Sequence, residues 1–316
     1  MLEALNFVKG SVAKKDLLPE LTHFCIENFT IKGFNGHISL CSPIDCNLTV
    51  APKADAFIKA VETCKDTVAL SMTDNNRLTV KSGKFKAFIE CIESTFPHIQ
   101  PEGQGVALTT PLLEVFRLLA PFIAQDASRP WATGLLFHGQ SAFATNNIIV
   151  IEKWLHDVFP ITVNFPVAAI KEVLRLKENP VAMQQSDTSL TLHFEESRWL
   201  RTNLNSLEWP DVTQILNVQS NPAPVPDNFF EALESLAPFT DDLDRVFFVG
   251  DALATSIEKN EGAAVEVIGL PFQGCFQLKQ LLSLKGVATQ FDFQLYPKPC
   301  TFFGDDVRGA IVGIRT

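Results

Sequence analysis

A chain of 316 residues, 46% hydrophobic and 20% charged, is globular and long enough for two or three domains with separate cores. A net charge of −10 argues against a protein that coats DNA with its whole surface, yet leaves room for a small basic surface inside an acidic shell. No apolar run approaches the ~18 residues of a bilayer-spanning helix. The opening MLEALNFVKGSVAKK has its positive charge after its apolar residues, the reverse of a secretory signal, so a soluble cytoplasmic protein without membrane partners is expected.

In chain order, apolar residues three and four apart predict helices over 2–15, 54–64, 110–123, 166–177, 227–239 and 275–285. Strand-like segments fall between them. HISLC (37–41) comes first, then LTVKSGKFKAFIE (78–90) with Ser82-Gly83 where a hairpin would turn. LLFHG-QSAFAT (135–145) follows, then SLTLHFEESRWLRTNL (189–204), turning at Glu195-Glu196-Ser197. RVFFVGD (245–251) precedes QFDFQLYPKPCTFF (290–303), whose alternation puts Phe291, Phe293 and Leu295 on one strand face.

These elements recur. IKAV (58–61), IKEV (170–173) and LKQL (278–281) hold Lys59, Lys171 and Lys279 at intervals of 112 and 108 residues. Leu78-Thr79-Val80 and Leu190-Thr191-Leu192 stand at the same distance from their lysines. Phe96-Pro97 and Trp209-Pro210 lie 113 apart, and Leu-Ala-Pro-Phe occurs at 119–122 and 236–239. A period near 110 is too long for a solenoid and has the size of a small domain. The expected fold is therefore α+β: three tandem domains, each with two helices on antiparallel sheet. Polar and proline-rich stretches at 97–104 and 217–227 place the domains at 1–104, 105–222 and 223–316.

Little points to chemistry. The seven cysteines are odd in number and never spaced CxxC, and the six histidines have no metal-ligand spacing. The cysteines read as small buried hydrophobes, and no metal or cofactor is expected. A metal-dependent nuclease would have to use Asp241-Asp242 or Asp305-Asp306, which read more simply as solvated loops. The six helices together carry +2 in a chain of −10. Lysine and arginine suit helix surfaces in any case, so this charge alone does not choose between a solvated face and a mildly positive surface that follows a polyanion.

Several motifs, in order along nearly the whole chain, resemble the bacterial DNA polymerase III beta subunit, the sliding clamp. Ser82-Gly83-Lys84-Phe85 followed by Phe96-Pro97 is similar to the family's "SGR…FP". Asp126-Ala127-Ser128-Arg129-Pro130-Trp131…Gly134 resembles its "D…RP…L.G", and Ala144-Thr145-Asn146-Asn147 stands where it has "ATDGHRLA". Trp209-Pro210-Asp211 matches "FPDY", Phe276-Gln277-Leu278…Leu281-Leu282 resembles "FN..YL.D.L", and Ile311-Val312-Gly313-Ile314-Arg315-Thr316 resembles "VMPMRL". The chain is shorter than usual for that family, which implies trimmed loops and points to a phage-encoded version.

The resemblance implies a non-enzymatic processivity factor. Two three-domain chains would join head to tail into a closed homodimeric ring around duplex DNA, independent of its sequence, and tether the polymerase and clamp loader through short hydrophobic peptides. The residues matching the family's peptide pocket are Ala132, Thr145, Asn147, Val150, Pro210, Ile215, Val312, Ile314 and Arg315. Those expected to face DNA are Lys9, Lys14, Lys15, Lys59, Gln125, Trp131, Lys171, Arg175 and Lys279. Phe88, Ile89 and Phe239 are the candidates for the subunit seam. The family's Gly-His-Arg becomes Asn147-Ile148-Ile149, which removes a basic, flexible rim, and its Met-Pro-Met becomes Val312-Gly313-Ile314, so an altered peptide preference is expected. The alternative outside catalysis is a clamp-like adaptor of the replication machinery that forms no ring.

Overall fold

The computed structural model describes residues 1–15, 18–93, 96–126, 128–205, 209–258, 260–271 and 273–315, so Ala127 and Thr316 of the motifs above lie outside it. Its α-helices in chain order are α1 (Leu2–Val8), α2 (Ala54–Thr63), α3 (Leu112–Leu119), α4 (Val167–Leu176), α5 (Thr213–Leu216), α6 (Phe229–Leu236) and α7 (Leu278–Leu282). The chain forms two compact units, one of residues 1–113 with 166–206 and the other of 114–165 with 207–316.

Unit 1 contains a seven-stranded sheet in the order Cys25–Glu27, Thr30–Phe34, Ile38–Pro43, Trp199–Asn203, Ser189–His193, Ala182–Gln185, Gln104–Ala107. Its central seam is antiparallel, with Leu40 opposite Leu200. A three-stranded sheet (Ala69–Met72, Arg77–Ser82, Phe85–Glu90) completes the unit. Alternation sets the faces: in Thr30–Phe34 only Ile31 and Gly33 are buried. The core joins Leu5, Phe7 and Val8 of α1, Phe57 and Val61 of α2, and Ile170 and Val173 of α4 to Ile31, Leu40, Leu190 and Leu200 of the sheet.

Unit 2 has an eight-stranded sheet: Val163–Pro166, Gly134–His138, Ser141–Thr145, Ile149–Trp154, Val307–Ile311, Cys300–Gly304, Gln290–Asp292, Ala223–Pro224. Its four-stranded sheet runs Ala264–Glu266, Ala252–Ala254, Arg245–Val249, Gln273–Gln277. Phenylalanines fill both cores. Phe116, Phe137, Phe159 and Phe165 contact one another edge-on or tilted, as do Phe229, Phe248, Phe276 and Phe293.

The hairpins turn where their sequences indicate, at Gly83 (φ +55°) and at Glu196-Ser197 (φ +58° and +59°). Several helices differ from expectation. The first is α-helical only over Leu2–Val8 and tightens to a 3-10 turn over Lys9–Ser11, which leaves Lys14 and Lys15 beyond it. Gly10 and the following Ser-Val cannot sustain the helix. The helix expected at 275–285 is instead strand through Gln277, then α7. Burial of Cys275 and Phe276 beside Arg245–Val249 outweighs their helical spacing. The strand expected through 290–303 stops at Asp292, whose side chain accepts the Gln294 N–H and starts a 3-10 turn over Phe293–Leu295. Phe293 still reaches the core, stacked 4.6 Å from Phe291.

The recurrent lysine helices share an entry. Lys53, Pro166 and Gln277 precede α2, α4 and α7 in extended conformation, with ψ of 119°, 142° and 119°. Both Leu-Ala-Pro-Phe copies form a 3-10 turn after a helix, over Ala120–Phe122 and Ala237–Phe239. Phe122 is fully buried, whereas Phe239 is 60% exposed.

Candidate peptide groove and basic helix faces

The matched groove residues all belong to unit 2 and gather around one hairpin. Strands Ser141–Thr145 and Ile149–Trp154 pair with Thr145 opposite Val150, and Val150 pairs on its other side with Ala310. Their turn is fixed by side chains. Asn146 Oδ1 accepts the N–H groups of Ile148 (3.1 Å) and Ile149 (2.8 Å), and Thr145 Oγ1 accepts that of Asn147 (3.1 Å). Asn147 takes φ +73°, a left-handed conformation asparagine tolerates better than most residues, where the resembling family has glycine.

Short helix α5 lies over this face. Leu216 joins Val150 and Ala310 in a buried apolar cluster, flanked by Phe143 and Val212. Ile215, its neighbour, is 40% exposed. Thr213, which opens the helix, donates to Asp211, whose carboxyl is held below its usual value by those Thr213 hydrogen bonds. Trp209, just before Pro210, meets Trp131 edge-on at 5.1 Å, and Ala132 beside it is buried. The segment after the last strand is anchored by Val312 N–H to Ile148 O (2.9 Å) and Ile314 N–H to Cys275 O (2.7 Å). Val312 is 45% exposed, Ile314 half-buried, and Asn147, Pro210 and Arg315 exposed.

Sequence reasoning missed four groups here. Arg129 donates to Asn147 Oδ1 at 2.9 Å, so a cation stands at the rim although the family's His-Arg pair is absent. Gln280 accepts from Asn146 Nδ2 at 2.7 Å, Leu216 packs against Val150 and Ala310, and Tyr296 Oη donates to Ile314 O at 2.6 Å. The Arg129-Pro130 motif gave a signal for the first, and Leu216 directly follows the named Ile215; Gln280 and Tyr296 are brought in from distant sequence by the fold.

The basic residues divide. Lys59, Lys171 and Lys279 are exposed on α2, α4 and α7, opposite the buried residues Phe57 and Val61, Ile170 and Val173, and Leu278 and Leu281. None of the three points into a sheet core. Lys9 is exposed with its ammonium on Asn6 Oδ1 (2.8 Å), and Lys14, Lys15 and Gln125 are exposed. Trp131 is half-buried against Trp209, not a bare stacking platform. Arg175 is already occupied: its Nε donates to Glu172 Oε1 (2.9 Å), and Nη1 and Nη2 donate to Asn6 O (2.8 Å) and Phe7 O (2.7 Å). Glu172 is buried, and a Cβ on Gly10 would overlap its carboxylate. Arg175 thus neutralises a buried charge and caps the open carbonyls at the end of α1.

Of the seam candidates, Phe88 is 52% and Phe239 60% exposed, while Ile89 is buried within its own unit. Strand Phe85–Glu90 is an edge of its sheet.

The acidic pairs serve loops. Asp241 accepts from Arg245 and from the Leu243 and Arg245 N–H groups, and Asp306 accepts from Lys153 and His156. In both, slight burial pushes the carboxyl up, but these bonds outweigh it and hold it below the usual range. Burial raises the thiols of Cys25, Cys41 and Cys275 to about 11 and Cys300 to about 12, so they stay protonated near neutrality. Among the described residues no three His, Cys, Asp or Glu side chains are placed to hold a metal, and no helix is long and apolar enough to cross a membrane.

No family model and no curated protein matches the sequence. Solved structures do. The DNA polymerase III beta chain of Streptococcus pneumoniae superposes with a TM-score of 0.85 at 19% identity, over 100% of this chain and 97% of that one. The C. crescentus beta sliding clamp, with polyethylene glycol in a putative beta-motif tethering region, gives 0.84 at 17% over the same shares. The Helicobacter pylori beta clamp bound to a DNA ligase peptide gives 0.78 at 18%, over 99% and 97%. The chain therefore has, along its whole length, the fold of the bacterial DNA polymerase III beta sliding clamps.

Proposed function

We propose that this protein is a DNA sliding clamp, a processivity factor that encircles duplex DNA and tethers a replicative polymerase. The observation that carries this reading is the match to beta clamps over 100% of this chain and 97% of theirs. The domains are 1–104, 105–222 and 223–316. The seven-stranded sheet takes strands from the first two spans and the eight-stranded sheet from the last two, so sheet runs across each boundary. Two copies join head to tail, domain one to domain three, in a heterologous contact whose rotation closes. Exposed Phe88 and Phe239 fit such a seam, and Ile89 supports it from within.

Encirclement is topological, so retention needs no tight phosphate contact. Lys59, Lys171 and Lys279, with Lys9, Lys14 and Lys15, give a thinly positive inner face that screens the duplex without gripping it, and the acidic remainder discourages DNA from binding outside. Partners, the polymerase and the clamp loader among them, enter through a short apolar peptide at the groove of Val150, Ile215, Val312 and Ile314; the H. pylori clamp, similar in fold, is bound to a DNA ligase peptide. The protein does no chemistry of its own.

Light scattering tests the ring. The chain mass is 35.0 kDa, so a closed dimer should read about twice that at micromolar concentration. A stable single-chain species under those conditions would favour an adaptor that forms no ring.

A further inference from the structure

Strand Gln273–Gln277 is the edge of its sheet, and its Cys275 carbonyl accepts the Ile314 N–H at 2.7 Å. Two residues earlier, Val312 N–H donates to Ile148 O, in the turn of the eight-stranded sheet. The segment after Ile311 is therefore held at two points by two sheets of unit 2. Against it lies Tyr296, the only tyrosine in a chain with 26 phenylalanines. Its phenol donates to Ile314 O at 2.6 Å, and its ring sits 5.9 Å from that of Phe276. The backbone passes close above: a Cβ on Gly313 would lie 2.7 Å from Tyr296 Cε2 and 3.0 Å from Cys275 O.

A phenylalanine would fill the same space, but only a phenol supplies a donor that reaches the Ile314 carbonyl. That bond fixes a segment contributing little to the core, since Val312 is 45% exposed and Arg315 is exposed. Its consequence is presentation. We infer that Tyr296 is a positioning residue for partner recognition, latching residues 312–315 so that Val312, Ile314 and Arg315 meet an apolar peptide already ordered. This rests on the peptide-groove reading above. A segment ordered beforehand spares the entropy of ordering it on binding.

The test uses the full-length protein, the DNA ligase peptide bound by the H. pylori clamp as probe, and 3-fluorotyrosine at the single tyrosine. In the wild type, the one fluorine resonance should shift when the peptide binds. Tyr296→Phe should bind it ~3–10-fold more weakly and speed amide exchange at Ile314 by a similar factor, the loss of one hydrogen bond, with the unfolding midpoint unchanged. Gly313→Ala should act in the same direction and add little in the double variant, because both loosen one latch. Wild-type affinity or wild-type exchange at Ile314 in Tyr296→Phe overturns the latch. Absence of binding by the wild type takes ligase-type peptides away from this groove, and the positioning role for them with it.

Discussion

Arg175→Ala should destabilise unit 1 by about 2–4 kcal/mol in urea unfolding. The substitution strands the buried Glu172 carboxylate and leaves Asn6 O and Phe7 O at the end of α1 without their donor. Breaking a buried pair costs about 3–5 kcal/mol; the figure is reduced here because the Arg175 side chain is 32% exposed. Arg175→Lys should not rescue it, since an ammonium cannot fork to a carboxylate and two carbonyls at once. Lys171→Ala, one turn away and exposed, should leave the unfolding transition within about 0.5 kcal/mol of wild type. Its effect should appear as weaker direct binding to DNA at low salt with a shallower salt dependence, while retention on circles is unchanged. A stable Arg175→Ala protein that loses DNA would reverse these assignments and put the guanidinium on the duplex.

The double substitution Ile215→Asp with Val312→Asp should reduce partner-peptide affinity by at least ~30-fold, as expected for truncating the centre of an apolar recognition site. Both side chains are 40–45% exposed, so folding should be unaffected. Val150→Asp is the contrasting control: Val150 is packed against Leu216 and Ala310, and a charge there should unfold the region. Fluorescence anisotropy with a labelled peptide reads the first effect and thermal unfolding the second. Unchanged affinity in the double variant would take the groove away from this face.

The sequence carried the repeat better than the edges of its elements. IKAV, IKEV and LKQL do mark corresponding helices, each entered from an extended residue, because a polar residue on the open face and apolar residues beneath it suit a helix that covers a sheet. Periodicity misplaced the start of the third. Cys275 and Phe276 have helical spacing with Leu278, but strand pairing with Arg245–Val249 decides the conformation of the first two, and that partner is 26 or more residues away. Leu-Ala-Pro-Phe reads as the end of a helix in both copies, whereas the structure makes it a 3-10 turn, and its recurrence does not tell that Phe122 is core and Phe239 surface. In the groove, Thr145, Asn147 and Val150 were legible only through the family resemblance, and the fold places them on one hairpin. Gln280 and Tyr296 were not, because their hydrogen bonds to Asn146 and Ile314 are made only by tertiary structure. Charge counting placed Arg175 with the lysines; only its partners separate it from them.

Encirclement is topological, and retention on nicked circular against linear duplex DNA, after loader-assisted assembly, tests it most directly. A ring should remain on circles through a high-salt gel-filtration column and run off linear DNA, and linearising the circle should release it. Equal loss from both substrates, or equal retention on both, would contradict encirclement.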